Sequence, residues 1–266
     1  MTSEKFTVET ITWVHTWVPG KLFSFRCTRP AGFRFEAGQF ARLGVLPAGS
    51  DQIVWRAYSM VSSPYDEHLE FFSIVVEGGQ FTGALEALRP GDTLYVDKTA
   101  YGFLTTERFP HDTGETPALW MLASGTGLAP FLSLLHDVHV WDSFGQLVLV
   151  HSVRTPEELA YADTLRGLRQ HPVFGEYLSA DPSRFHYVPV VTRVPGSTEL
   201  DKRITTLLDN GELERYVGHR LDPSQACVML CGNPEMVAEL RKRVQDRGFR
   251  APRRGMPGNL AVENYW

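Results

Sequence analysis

Leu122-Ala123-Ser124-Gly125-Thr126-Gly127-Leu128-Ala129-Pro130 joins an apolar run to a helical pattern through a pair of glycines. Glycine lets a backbone approach a phosphate closely, and the start of a helix presents unpaired N–H groups and the positive end of its dipole. A pyrophosphate fits such a turn, which makes Gly125, Thr126 and Gly127 candidate ligands. The third glycine of a full dinucleotide fingerprint is absent, and Pro130 stands in the first helical turn, where its missing N–H is harmless. A plain tight turn is the alternative reading of these residues.

On either side of this turn, apolar runs alternate with helical patterns. Ala118 to Ala123, Leu147 to His151, Val188 to Val191 and Cys227 to Cys231 read as buried parallel strands. Leu128 to Trp141, Glu157 to Leu168 and Pro234 to Arg247 read as helices. That alternation predicts an α/β domain with a Rossmann-like parallel sheet over residues 111–266. Upstream the rhythm differs. Short stretches rich in β-branched and aromatic residues (Thr7 to Trp17, Leu22 to Thr28, Gln39 to Leu46, Val54 to Val61, Leu69 to Val76, Thr93 to Val96) are separated by glycine turns. They predict an antiparallel β-barrel over residues 1–110, holding one short helix from Phe81 to Leu88.

Composition narrows the function classes. With 266 residues, 43% hydrophobic and 21% charged, the chain is a globular protein long enough for two domains. Its 26 Lys and Arg against 31 Asp and Glu give a net charge of -5, which argues against sequence-blind nucleic-acid binding. Three cysteines lacking paired spacing predict neither a disulfide framework nor a metal or iron-sulfur site, and the nine histidines add no metal spacing. No apolar run reaches the roughly 20 residues of a membrane span, and the start of the chain lacks a signal-peptide core, so a cytoplasmic location is expected.

Two further motifs carry chemistry. Arg56-Ala57-Tyr58-Ser59 lies in a strand of the first domain, with Arg56 and Tyr58 on one face and Ser59 on the other. It offers a cation, an aromatic face and a hydroxyl, enough to hold a phosphate and a flat ring; barrel core and a solvated charge are the alternative. Cys231-Gly232-Asn233-Pro234-Glu235-Met236 ends an apolar strand and opens a helix, where open α/β sheets bind their ligands. A buried inert cysteine before a helix start is the alternative there.

Together and in this order, the three motifs resemble the ferredoxin-NADP reductase family, and the likeness runs from Phe6 to Trp266. Within it, the chain is similar to bacterial flavodoxin/ferredoxin-NADP reductases of the enterobacterial type, which finish in Tyr-Trp as Tyr265-Trp266 does. The resemblance implies FAD on the barrel and NADP(H) on the α/β domain. Arg56 would contact the FAD pyrophosphate, Tyr58 would pack on the isoalloxazine beside Ala57, and the Ser59 hydroxyl would lie near flavin N5. Phe72, Ser73 and Ile74 would border the flavin, and Gly79, Gln80, Phe81 and Thr82 would meet the FAD phosphates, with Thr126 also near FAD. Toward NADP, the resemblance points to Gly125, Thr126, Gly127, Val153, Arg154, Arg193, Arg203, Cys231, Gly232, Asn233 and Met236. The three arginines follow strand ends, and guanidinium forks suit a 2'-phosphate; ordinary surface arginines are the alternative.

The tail, residues 256–266, is expected to return to the FAD, with Trp266 on the adenine and Tyr265 nearby; packing into an apolar groove is the alternative. Ser59 and Cys231 are the expected catalytic residues, with Glu263 pairing with Ser59 or relaying a proton. Enterobacterial relatives carry His where Asn264 stands. The implied activity is electron transfer through FAD between NADPH, whose hydride goes to flavin N5, and ferredoxin or flavodoxin. A reductase component for a monooxygenase or for free flavin, and a flavin-binding regulator without turnover, are the other readings. A monomer is expected. Between Arg241 and Arg254 lie seven Lys or Arg against one Asp, a candidate docking patch for an acidic carrier.

Overall fold

The computed structural model describes residues 5–109, 116–253 and 256–264. By backbone proximity the chain divides into two units, Met1–Gly102 with Ala129–His136, and Phe103–Leu128 with Asp137–Trp266.

In the first unit, strands β1 (Phe6–Val18), β2 (Leu22–Thr28), β3 (Phe40–Val45), β4 (Val54–Ser59), β5 (His68–Ile74) and β6 (Thr93–Tyr101) form one antiparallel sheet in the order β4-β3-β6-β1-β2-β5. The sheet closes on itself. Met60, just past β4, bridges Phe71 of β5, and Val61 N donates to Glu70 O at 2.8 Å. Register shifts within β1 and β3 supply the bends that closure needs. The predicted barrel is therefore present. Its interior is filled by Phe23, Phe25, Leu43, Met60, Leu69, Phe71 and Leu94. Cys27 is buried among them, and burial raises its thiol far above the usual range, as expected of an inert core cysteine. Helix α1 (Gln80–Ala87) presses Phe81 and Leu85 into the same core.

The second unit is built on β7 (Ala118–Ser124), followed by α2 (Ala129–Leu135), α3 (Val138–Ser143), β8 (Gln146–Val153), α4 (Ala162–Arg166), α5 (Phe174–Ala180), β9 (Phe185–Val191), α6 (Ile204–Asp209), α7 (Glu212–Val217), β10 (Ala226–Gly232), α8 (Pro234–Asp246) and β11 (Leu260–Asn264). Its sheet is wholly parallel, in the order β11-β10-β7-β8-β9. Covered on both faces, β7 and β10 read as unbroken apolar runs. Helix α8 begins on Asn233, whose side chain accepts from Glu235 N and Met236 N, and turns Val237, Leu240 and Val244 to the core.

Two helix expectations are corrected. The helix predicted from Leu128 to Trp141 is two helices, because Asp137 accepts from His139 N and starts α3 afresh. Its first part, α2, groups with the barrel, where Ser133 Oγ donates to Ser62 O at 2.7 Å and Ser63 Oγ donates to His136 O at 3.0 Å. The helix predicted from Glu157 to Leu168 is interrupted at Tyr161, which adopts φ 60° and leaves only α4 as α-helix. Within the tail, Leu260–Asn264 forms β11, which runs parallel to β10 with Val228 opposite Leu260.

Two of the seven basic residues of the run are held in ion pairs inside the second unit. Arg243 Nε binds Asp209 at 3.0 Å, Arg247 Nη1 binds Glu214 at 3.0 Å, and Arg250 Nη1 donates to the Phe249 carbonyl. Arg241, Lys242, Arg250 and Arg253 stay exposed, while Arg254 lies outside the described residues.

Candidate functional site

On the barrel, β4 carries Arg56, Ala57, Tyr58 and Ser59 toward its end. Arg56 and Ala57 are exposed; Arg56 donates to the Trp55 carbonyl at 2.8 Å, and no carboxylate pairs with it among the described residues. Tyr58 is half-buried. Its ring stacks on Phe81 at 5.5 Å and meets Phe71 edge-on, and its hydroxyl lies 3.0 Å from Ser73 Oγ. Because Ser73 Oγ donates to the Ile74 carbonyl, Tyr58 is the donor in that pair, and burial raises its pKa above the ordinary phenol value. Ser59 is different. It is buried, yet its Oγ has no hydrogen-bond partner among the described residues. Leaving a buried hydroxyl unsatisfied costs about 1–3 kcal/mol, so a group that would complete it is called for.

Neighbouring elements supply the rest of this half. Phe72 and Ser73 of β5 are buried and Ile74 is half-buried. At the head of α1, the Thr82 hydroxyl accepts from Val76 N at 3.0 Å and so fixes the turn containing Gly79. A Cβ on Gly79 would come within 2.8 Å of that hydroxyl. No side chain caps α1, which leaves the N–H groups beginning at Gln80 open to an anion.

On the second unit, the strand order reverses between β7 and β10, and both strands end in a candidate motif. This is the switch point at which open α/β sheets bind ligands. The two turns interlock. A Cβ on Gly127 would fall 2.6 Å from Gly232 Cα, and Gly232 itself holds φ 135° with its Cβ position 2.7 Å from the Ser124 carbonyl oxygen. Ser124 Oγ accepts from Asn233 N at 2.9 Å and ties the turns together. Gly125 has φ 53° and nothing within 4 Å of its Cβ position, so that side of the turn is open. Thr126 is buried, and Met236 packs against the sheet core.

Cys231 is fully buried and stands in register with Glu263 of β11. One Glu263 carboxylate oxygen, Oε2, is buried without a partner among the described residues, and burial pushes the pKa up to about 7. At the carboxyl edge of β8 and β9, Arg193 N donates to Arg154 O at 2.9 Å, just beyond the Thr192 N to Val153 O bond. The structure thus brings Arg154 and Arg193 together. Arg203 opens α6, three residues past Leu200, which bridges Val190 of β9. All three arginines are exposed; the Arg154 backbone N–H donates to Glu158 Oε2 at 3.0 Å, and among the described residues no carboxylate pairs with their guanidinium groups. Tyr265 and Trp266, expected on the FAD adenine, lie outside the described residues.

Two residues at this site escape sequence reasoning: Ser124, which links the turns, and His151, fully buried with Nε2 3.1 Å from the Gly125 carbonyl. For His151 the available signal was a polar residue ending the apolar run Leu147 to Val150.

Two family models match this chain, an oxidoreductase FAD-binding domain over residues 18–102 and an oxidoreductase NAD-binding domain over residues 121–242. The barrel and the parallel sheet are thus the flavin and nicotinamide-nucleotide domains of a two-domain oxidoreductase. A ferredoxin–NADP reductase of Azotobacter vinelandii is 39% identical over 96% of this chain and 96% of its own length. The flavodoxin/ferredoxin–NADP reductase of Escherichia coli is 35% identical over 96% of this chain and 97% of its own. A crystal structure of a ferredoxin NADP+ reductase from Neisseria gonorrhoeae, with bound FAD and NADP, matches with a TM-score of 0.88 and 38% identity, covering 99% of this chain and 100% of that one. The chain belongs to the ferredoxin/flavodoxin–NADP reductase family. With the Azotobacter protein at 39% and the Escherichia protein at 35%, the identities do not single out the enterobacterial subclass.

Proposed function

We propose that this chain passes electrons between NADPH and a small one-electron carrier, ferredoxin or flavodoxin, using FAD held by the barrel and NADP(H) held at the switch point of the α/β unit. The observation that carries the reading is the Ser59 hydroxyl, buried and unpartnered at the end of Arg56-Ala57-Tyr58-Ser59. When bound, FAD takes a hydride from NADPH and gives up its electrons one at a time, chemistry that belongs to the cofactor.

The chain's own residues bind and orient. Ser59 would complete its hydrogen bonding on the flavin, Tyr58 would offer a ring face that Phe81 and Ser73 hold still, and exposed Arg56 would meet the pyrophosphate. The uncapped start of α1 suits the FAD phosphates. On the second unit, the interlocked glycines leave room for backbone to approach the NADP pyrophosphate, and the Arg154–Arg193 pair, with Arg203, suits a 2'-phosphate. Cys231 and Glu263 stand side by side at the end of β10 and β11, and a carboxyl titrating near 7 can hold or release a proton there. Exposed Arg241, Lys242, Arg250 and Arg253 leave a smaller basic surface than the sequence run suggests for steering an acidic carrier. Among the described residues no helix is long and apolar enough to cross a membrane, and the three cysteines are free.

Purified protein should be yellow. Stopped-flow reduction by NADPH, followed by mixing with oxidised ferredoxin and oxidised flavodoxin separately, should show fast re-oxidation by at least one of them. Re-oxidation by free flavin alone would replace the carrier reading with a flavin-reductase one. A folded preparation that retains no FAD would end both.

A further inference from the structure

His151 occupies a position in β8 where an aliphatic residue would satisfy the strand pattern: Leu147, Val148, Leu149 and Val150 precede it and all are fully buried. The imidazole is itself fully buried. Its Nε2 lies 3.1 Å from the Gly125 carbonyl, and its Nδ1 has no partner among the described residues. A carbonyl only accepts, so Nε2 carries the proton and Nδ1 is a bare lone pair. The opposite tautomer would set two lone pairs against each other at Nε2 and the Gly125 oxygen. Burial also keeps the ring neutral, lowering its pKa to about 4. An aliphatic side chain would avoid the cost of a bare buried lone pair, so the contact with Gly125 is the feature for which an imidazole is suited here.

We propose that His151 is a positioning residue for the NADP(H) pyrophosphate: its Nε2–H holds the Gly125 carbonyl down against β8 and away from the bound phosphates. The proposal rests on the reading that the nucleotide binds at the Ser124–Gly127 turn. Gly125 is the hinge of that turn, with φ 53° and open space where a Cβ would stand. A carbonyl released toward that open side would repel phosphate oxygens; drawn inward, it leaves the amide N–H groups of the turn as the groups an anion meets. Ser124, bonded to Asn233 N, fixes the residue before the hinge, and His151 fixes the hinge itself. The pyrophosphate is common to NADPH and NADH. His151 therefore acts on both nucleotides alike, unlike an arginine that reads the 2'-phosphate.

The test uses the full-length, FAD-loaded protein with His151→Leu, His151→Asn and His151→Gln, measuring ferricyanide reduction with NADPH and with NADH. Glutamine places an amide N–H near the position of Nε2; asparagine is too short to reach it. For His151→Leu and His151→Asn, KM should rise at least tenfold for NADPH and NADH by the same factor, with kcat within about twofold and FAD content unchanged. His151→Gln should recover to within about threefold of wild type. If His151→Leu does not fold, the Asn and Gln pair decides. KM values unchanged in Asn and Leu, a rise confined to NADPH, or a Gln variant as impaired as Asn would overturn the proposal. Wild-type protein that loads FAD but responds to neither nucleotide overturns the functional reading, and this proposal with it.

Discussion

In the barrel, the candidate site is made of side chains: Arg56, Tyr58 and Ser59 follow one another along β4, and the hydroxyl of the last is left unpaired. At the switch point of the parallel sheet it is made of backbone, with Gly127 and Gly232 packed so closely that neither tolerates a Cβ. A side-chain site can lose a group and keep its fold, because the strand beneath it is held by its ladder. A backbone site cannot be altered without moving the chain. Binding and stability should therefore separate along β4 and merge at the glycine turns of the switch point.

Gly232→Ala is the strongest way to break this contrast. It forces a non-glycine residue to φ 135° and pushes its Cβ into Ser124, and should cost about 3 kcal/mol or more in denaturant unfolding while also weakening NADPH binding. Unchanged stability would show that the turns separate freely. Glu263 sharpens the comparison through pH. Its folded-state pKa is raised to about 7 from an ordinary value near 4.5, so the folded chain keeps a proton that the unfolded chain releases. The resulting stability is fully present below pH 4.5 and is lost as pH rises to about 7, on the order of 3 kcal/mol. Glu263→Gln should remove that portion of the slope, which unfolding curves at pH 5 and pH 8 would reveal.

Ser59→Ala should do the reverse of Gly232→Ala. It deletes an unpaired buried hydroxyl, so apoprotein stability should hold or rise by about 1–3 kcal/mol, while flavin reduction by NADPH slows roughly 10–100-fold in stopped flow. Equal losses in both would make Ser59 a structural residue. The smallest effect is expected at the rim. Arg193→Ala should raise KM for NADPH about tenfold and leave KM for NADH unchanged, with no shift in melting temperature. A parallel rise for NADH would remove Arg193 from 2'-phosphate recognition.

Much of the site was legible in sequence because it lies in contiguous motifs. The glycine turn, Cys231-Gly232-Asn233 and Arg56 to Ser59 each sit at the end of the strand where their pattern puts them. What escaped was held by contacts distant in sequence. His151 reaches Gly125 across 26 residues and Ser124 reaches Asn233 across 109, and neither spacing leaves a local pattern. Helices α5, α6 and α7, of six or seven residues each, are too short for a helical period to declare itself.

The sequence by itself determined the two-part architecture, since period-two alternation with glycine turns and continuous apolar runs between helices can each bury their apolar faces in only one kind of sheet. It also determined which residues could bear chemistry. Only the tertiary structure decided that the tail becomes the edge strand β11, that this strand sets Glu263 beside Cys231, and that α2 joins the barrel. Strand order and burial arise from contacts between distant segments, and those contacts leave Ser59 without a partner among the described residues and give Glu263 a pKa near 7.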